Sequence, residues 1–252
     1  MLKKILIVFF VFSLFFASFL NAQSSDEALI QMAILLDTSN SMDGLIDQAK
    51  SQLWKIVNEL ALSKKNGKSP RLEVALYQYG NSGLSDYDGY IEMVSPLTTD
   101  LDLISDKLFN LKTYGGDEYC GYVIKKATSD LKWNKSQGIL KLIFIAGNEP
   151  FNQGKVDYRK SCKESISKGI IVNTIHCGDF QVGIDTFWKK GADIADGKYV
   201  CIDQSIRDVY VEAPQDKEIE SLNKKLNDTY VYYGKGGAEK KELQVKQDSN
   251  AL

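Results

Sequence analysis

Two kinds of hydrophobic pattern alternate along this chain. Residues 28–37, ALIQMAILLD, form an unbroken apolar run, as expected of a central strand covered on both faces. The next segment, residues 42–67, repeats apolar positions every three or four residues (Leu45, Ala49, Leu53, Ile56, Val57, Leu60), the spacing of an amphipathic helix, and Gly67 lies just beyond it. RLEVALYQYG (71–80) predicts a second strand. A turn-rich loop, NSGLSDYDG, joins it to a third, YIEMVSPLTT (90–99). Helices are predicted near 100–111 and 117–133, then a strand over LKLIFIAG (140–147) and a helix near 157–168. A strand over GIIVNTIHCG (169–178), a helix over VGIDTFWKKGADIA (182–195) and a last strand over GKYVCID (197–203) follow.

Strands that alternate with helices of this length predict an α/β fold, a doubly wound and mostly parallel six-strand sheet with helices on both faces. Ligands of such sheets sit at the carboxyl ends of the strands, where strand order reverses. Beyond Pro214 an amphipathic pattern leads into a polar tail, so a C-terminal helical tail is expected over 211–252. The other end reads as a secretory signal over residues 1–22. Lys3 and Lys4 precede the apolar ILIVFFVFSLFFASFL, and Ala22 closes the segment. An exported protein follows from this reading, periplasmic, outer-surface or secreted, with no membrane association once the signal is cleaved; an uncleaved anchor is the second alternative, the apolar run being short against the roughly 20 residues of a membrane span.

Charge narrows the partners. Loss of Lys3 and Lys4 takes the formal charge from −2 to −4, which does not suit nucleic acid or an anionic membrane surface. The four cysteines all follow the signal. An even count in an exported chain is compatible with disulfides, and buried free thiols are the alternative. No CxxC spacing occurs, so a zinc site is not indicated.

The chemistry concentrates in AILLDTSNSM, residues 33–42. A buried strand delivers Asp37, Ser39 and Ser41, three oxygen donors, to one turn. One serine could cap the following helix, which leaves Asp37 and the second serine unexplained. A nucleophile would need a base, and the only histidine is His176, with no GxSxG elbow around either serine. Hard oxygens converging on one turn also suit a small hard cation such as Mg²⁺, to which other loops would add ligands.

DTSNS fits the D-x-S-x-S signature of von Willebrand factor type A domains, whose metal-ion-dependent adhesion site it forms. YGGDEYCGYVI resembles the family's second metal loop, and LIFIAGNEP its fourth strand and third loop. The segments VDYRKSCKESISKGIIVNTIHCGD and ADGKYVCIDQ, with LNDTYVYYG in the tail, resemble a bacterial exported branch of the family. The resemblance covers residues 28–210 and implies metal-dependent protein–protein or surface interaction rather than catalysis.

The family pattern has threonine after the double glycine and aspartate after the fourth strand. This chain has Asp117 at the first position and Gly147, Asn148 and Glu149 at the second. The expected ligand set is therefore Asp37, Ser39, Ser41, Asp117 and Asn148, with Mg²⁺, Mn²⁺ or Ca²⁺ as the ion and an open position for a partner's carboxylate. Thr113 and Glu149 are further candidates at or behind the ion, whereas Glu118 is expected to be solvated. Tyr114, Tyr119 and Phe151 are candidates for an aromatic rim that a partner would meet. Cys120 and Cys162, both near helix N-termini expected at the metal face, are the first choice of disulfide pair. The partner implied is a protein or cell-surface ligand. A metal-free interaction scaffold with a degenerate site and a hydrolase on the same face stay open as alternatives.

Overall fold

A computed structural model describes residues 28–65 and 67–202, with isolated positions between 225 and 246. The signal read over 1–22 and nearly all of the tail read over 211–252 lie outside the described residues. Six strands form one sheet: β1 (Leu29–Asp37), β2 (Arg71–Tyr79), β3 (Ile91–Thr98), β4 (Leu140–Gly147), β5 (Ile170–Cys177) and β6 (Tyr199–Ile202). Their spatial order is β3-β2-β1-β4-β5-β6, and all neighbours are parallel except the β2–β3 pair. The chain winds outward on one side of β1, then returns to lay β4 on its other side. The carboxyl ends of β1 and β4 therefore flank the crevice where strand order reverses.

Burial on both faces explains why β1 has no polar–apolar alternation: every residue from Leu29 to Asp37 is buried. Met32, Ile34 and Leu36 point into one core, under α1 (Ile46–Leu62) and α2 (Leu101–Asn110). Ala33 and Leu35 point into the other, under α3 (Cys120–Asp130), α4 (Tyr158–Ser167) and α6 (Trp188–Ile194). The periodic residues Ala49, Leu53 and Val57 of α1 are fully buried, with Trp54 beside them, as the helical spacing requires.

Two elements differ from the sequence reading. The helix expected over 182–195 is two short ones, α5 (Phe180–Asp185) and α6, broken at Phe187 with φ 72. The Thr186 carbonyl accepts from Phe151 N (2.9 Å) in the third loop, which takes it away from a continuing helix. The helix expected from 117 starts only at Cys120, because Gly115 (φ 49) and Gly116 (φ 116) hold the chain in an irregular loop. The expected Cys120–Cys162 disulfide is not formed. All four cysteines are free thiols, and Cys120 Sγ lies 3.7 Å from the Tyr79 hydroxyl.

Candidate metal site at the strand ends

Three loops meet at the carboxyl end of the sheet. The first leaves β1 at Asp37. Its Oδ1 accepts from Ser39 N (2.8 Å), which tightens the turn and puts the two serine hydroxyls 2.8 Å apart. A single 3-10 turn, Asn40–Met42, follows, and neither this turn nor α1 has a side-chain cap. Helix capping is thus not what the serines do. Ser41 Oγ instead donates to Asn148 Oδ1 (2.9 Å), and Asn148 Nδ2 donates to Ser41 O (2.8 Å). That reciprocal pair ties the end of β4 to the first loop and fixes which way the Asn148 amide faces.

The second loop, residues 111–119, is stitched to the first by backbone: Tyr114 N donates to Thr38 O (2.9 Å) and Asn40 N to Gly115 O (3.0 Å). Only glycine fits at 116, since a Cβ there would sit 1.5 Å from Gly80 O. This close approach turns Glu118 inward. It is 6% exposed, and its carboxyl lies against the Ser39 hydroxyl and the Asp37 charge. Gly80 is the floor beneath them: a Cβ on it would meet Asp37 Oδ1 at 2.8 Å and Glu118 Cγ at 3.0 Å.

These contacts set the electrostatics. Burial first, then the Glu118 and Glu149 charges, push the Asp37 carboxyl up to about 7 against the pull of its Ser39 hydrogen bonds. Glu118 is raised too, by burial first and then by Glu149 and Asp117. Asp37 Oδ2 is buried without any hydrogen-bond partner. An orphaned carboxylate oxygen beside a second buried acid is costly unless protonated or paired with positive charge. The nearby donors are all hard oxygens: two carboxyls, two hydroxyls and an amide carbonyl. This chemistry fits Mg²⁺, Mn²⁺ or Ca²⁺. Among the described residues no group of three or more His, Cys, Asp or Glu side chains converges as a cation site. Any ion here would rely on the serine hydroxyls as well as on the acids.

The other residues singled out in the sequence fall at different distances from this centre. Asp117 is exposed and accepts from the Tyr119 hydroxyl (3.2 Å). Thr113 Oγ1 donates to Asp43 Oδ1, bracing the second loop against the first. Glu149 accepts from Gln153 Nε2 (3.3 Å), while its carbonyl takes the Trp188 indole NH (2.8 Å). Tyr114 is 62% exposed, and Tyr119 is half-buried beside Tyr90. Phe151 is no part of a rim. It is fully buried between the rings of Tyr158 and Trp188, because the third loop folds back over α6.

His176 is buried against Trp188, with its Nδ1 unpartnered and its pKa lowered mainly by burial. It sits among Gly178, Gly183, Trp188 and the Asp179 charge, none of which belongs to the serine loop. Sequence reasoning missed Glu118. The signal was present in the adjacent acids Asp117 and Glu118, but an irregular loop has no period to say which of two neighbours faces in.

Comparison with known proteins agrees with this fold. The sequence model of the von Willebrand factor type A domain matches residues 31–187. No curated protein sequence matches the chain. Among solved structures, BatB from Bacteroides thetaiotaomicron superposes with a TM-score of 0.53 at 17% identity, covering 79% of this chain and 100% of that one. The SpRpn10 VWA domain gives 0.53 at 16% identity, over 71% and 91% of the two chains. Proximal thread matrix protein 1 from the mussel byssus, with a zinc-occupied MIDAS motif, gives 0.50 at 10% identity over 79% and 46%. Likeness at such identities speaks for the fold. With a sheet ordered β3-β2-β1-β4-β5-β6, the DTSNS turn at its reversal point and a sequence match over more than half its length, this chain belongs to the von Willebrand factor type A domain family.

Proposed function

We propose that this domain is an exported interaction module whose strand-end site holds a divalent cation and, through it, a carboxylate of a protein or cell-surface partner. The observation that carries the reading is the buried, unpartnered Oδ2 of Asp37 beside Glu118, flanked by the Ser39 and Ser41 hydroxyls. Asp37, Glu118, Ser39, Ser41 and Asn148 are the residues that would hold the ion. Mg²⁺, Mn²⁺ or Ca²⁺ would supply positive charge to two carboxyls whose pKa values burial raises, and a Lewis-acidic position open to an incoming carboxylate.

The chain's own residues do the rest. Asn148 positions Ser41, Gly116 and Gly80 let the two acids approach, and Thr113 anchors the second loop. Asp117, the acid expected as ligand from the sequence, is assigned to the rim, where with exposed Tyr114 and Tyr119 it would meet the partner. The zinc-occupied motif of the mussel protein supports the capacity of this fold for divalent ions. Export rests on the leader-like residues 1–22, and the bacterial exported branch on the resemblance of VDYRKSCKESISKGIIVNTIHCGD and ADGKYVCIDQ.

One observation favours a metal-free scaffold as the second reading. Ser39, Ser41 and Asn148 already satisfy one another, so the turn is closed without an ion. Titration of Mn²⁺ followed by the electron paramagnetic resonance signal of the free ion separates the two. The cation reading predicts one bound Mn²⁺ per chain, lost in Asp37→Ala and in Ser39→Ala/Ser41→Ala. A free-ion signal unchanged by wild-type protein would leave the scaffold reading.

A further inference from the structure

The other end of the sheet carries a second feature of opposite charge. Where β4 and β5 begin, a cavity of about 490 Å³ opens between the α3–β4 loop and the α4–β5 turn. Lys132, Lys135, Lys141 and Lys168 line it with Trp133 and Asn134, and no carboxylate does. Eight residues of β4 separate this end from the cation site, roughly 25 Å at strand rise.

The partners of these lysines show which are spoken for. Lys168 pairs with Glu164 (2.8 Å), and Lys141 Nζ donates to the Lys168 carbonyl (2.5 Å), closing the helix end. Asp130, the next nearest acid in sequence, faces Lys126 (3.8 Å). Lys132 and Lys135 are exposed and have no ion pair or hydrogen bond among the described residues. The Trp133 indole NH donates to Ala127 O (2.9 Å) and part of its ring packs against the core, so the surface it leaves at the cavity is carbon. Asn134 adds a neutral amide to the wall, its Oδ1 accepting from Ser136 N (2.9 Å), whereas the Ser129 hydroxyl is taken up by Asp130 (2.7 Å) and Lys126 O (3.2 Å).

We infer that this cavity binds an anionic saccharide, with Lys132 and Lys135 meeting its charged groups and Trp133 stacking on a ring face. Lysine ammonium groups act as point charges and take carboxylate, sulfate or phosphate alike, whereas an arginine fork would select planar, bidentate anions. Spread around a cavity, they match a ligand whose charges are spaced along a chain. An indole surface beside the Asn134 amide suits a ring with one apolar face and hydroxyls at its edge. The site is independent of the cation site, so the two are testable apart.

Tryptophan fluorescence reads this cavity almost alone. Of the three tryptophans, Trp54 is 2% and Trp188 0% exposed, while Trp133 is half-buried at the cavity wall. The purified protein would be titrated in EDTA with heparin and with polygalacturonate, with dextran and polyglutamate as comparisons. The inference predicts a saturable change with the two anionic saccharides and none with dextran. Lys132→Gln/Lys135→Gln should weaken it at least fivefold, 0.5 M salt should largely abolish it, and Asp37→Asn should leave it unchanged. Retention on immobilised heparin should drop in the same lysine variant, a readout that does not depend on Trp133. No change with either saccharide, an undiminished change in the lysine variant, or an equal response to polyglutamate would overturn it.

Discussion

At the scale of single residues, Asp37 is where burial and function oppose each other. Its carboxyl sits at about 7 in the folded chain against 3.8 in the open. A raised folded-state value means that stability is fully present below the unfolded value and is lost as pH rises through the folded one. The cation-free protein should therefore lose stability between about pH 4 and pH 7, with Glu118 raised in the same direction. Asp37→Asn should remove most of that slope. In EDTA the variant should match wild type near pH 4 and exceed it at pH 8 by a few kcal/mol, since a tenfold change in proton affinity on folding corresponds to about 1.4 kcal/mol. Urea denaturation at the two pH values measures the difference, and parallel curves would contradict the assignment. Gly116 gives a second residue-level expectation. Gly116→Ala would place a Cβ 1.5 Å from Gly80 O at φ 116, so it should cost about 2–4 kcal/mol and abolish cation binding with it. Thermal melting with and without cation reads both effects.

At the scale of elements, a contact between α1 and the end of α2 helps to hold the site. Lys50, 4% exposed on α1, donates to Leu111 O (2.7 Å) and Phe109 O (3.3 Å), the last carbonyls of α2 and its exit. A cation at a helix C-terminus satisfies carbonyls that have no partner in the helix and interacts favourably with its dipole. Here it also fixes where the second loop departs, and hence where Glu118 arrives. Lys50→Met keeps the packed stem but leaves those carbonyls unpaired. It should cost about 1–3 kcal/mol. It should also weaken cation binding although no donor has been removed, which Mn²⁺ titration of the variant would detect.

Most elements of this kind were legible in the sequence, because buried parallel strands and amphipathic helices carry long, unmistakable patterns. The run LKLIFIAG is β4 residue for residue, and Ala49, Leu53 and Val57 do face the core. What was not legible depended on contacts distant in sequence. The Phe151–Thr186 hydrogen bond breaks a helix that periodicity alone would continue. The approach of Gly116 to Gly80 turns Glu118 inward, although its charge reads as solvated. Phe151 looked like a rim residue because the sequence places it in a site loop, and the fold spends it on the core between Tyr158 and Trp188.

At the scale of the whole molecule, the parallel sheet separates two chemistries. Acids and hydroxyls gather where β1 and β4 end, and lysines gather where β4 and β5 begin. Parallel strands make this possible by sending all their carboxyl ends to one side. The separation also gives the account its most direct test. Thermal melting of the purified protein at pH 7.5 would be recorded in EDTA and in millimolar Mg²⁺ or Mn²⁺, for wild type, Asp37→Asn, Glu118→Gln and Asp117→Asn. Binding to the native state alone contributes about 2.7 kcal/mol at a hundredfold excess over Kd, which for a domain of this size is roughly 5–10 °C. That rise is expected in wild type and in Asp117→Asn, with its loss in Asp37→Asn and Glu118→Gln. No rise in wild type, or a rise that survives in Asp37→Asn, would contradict it.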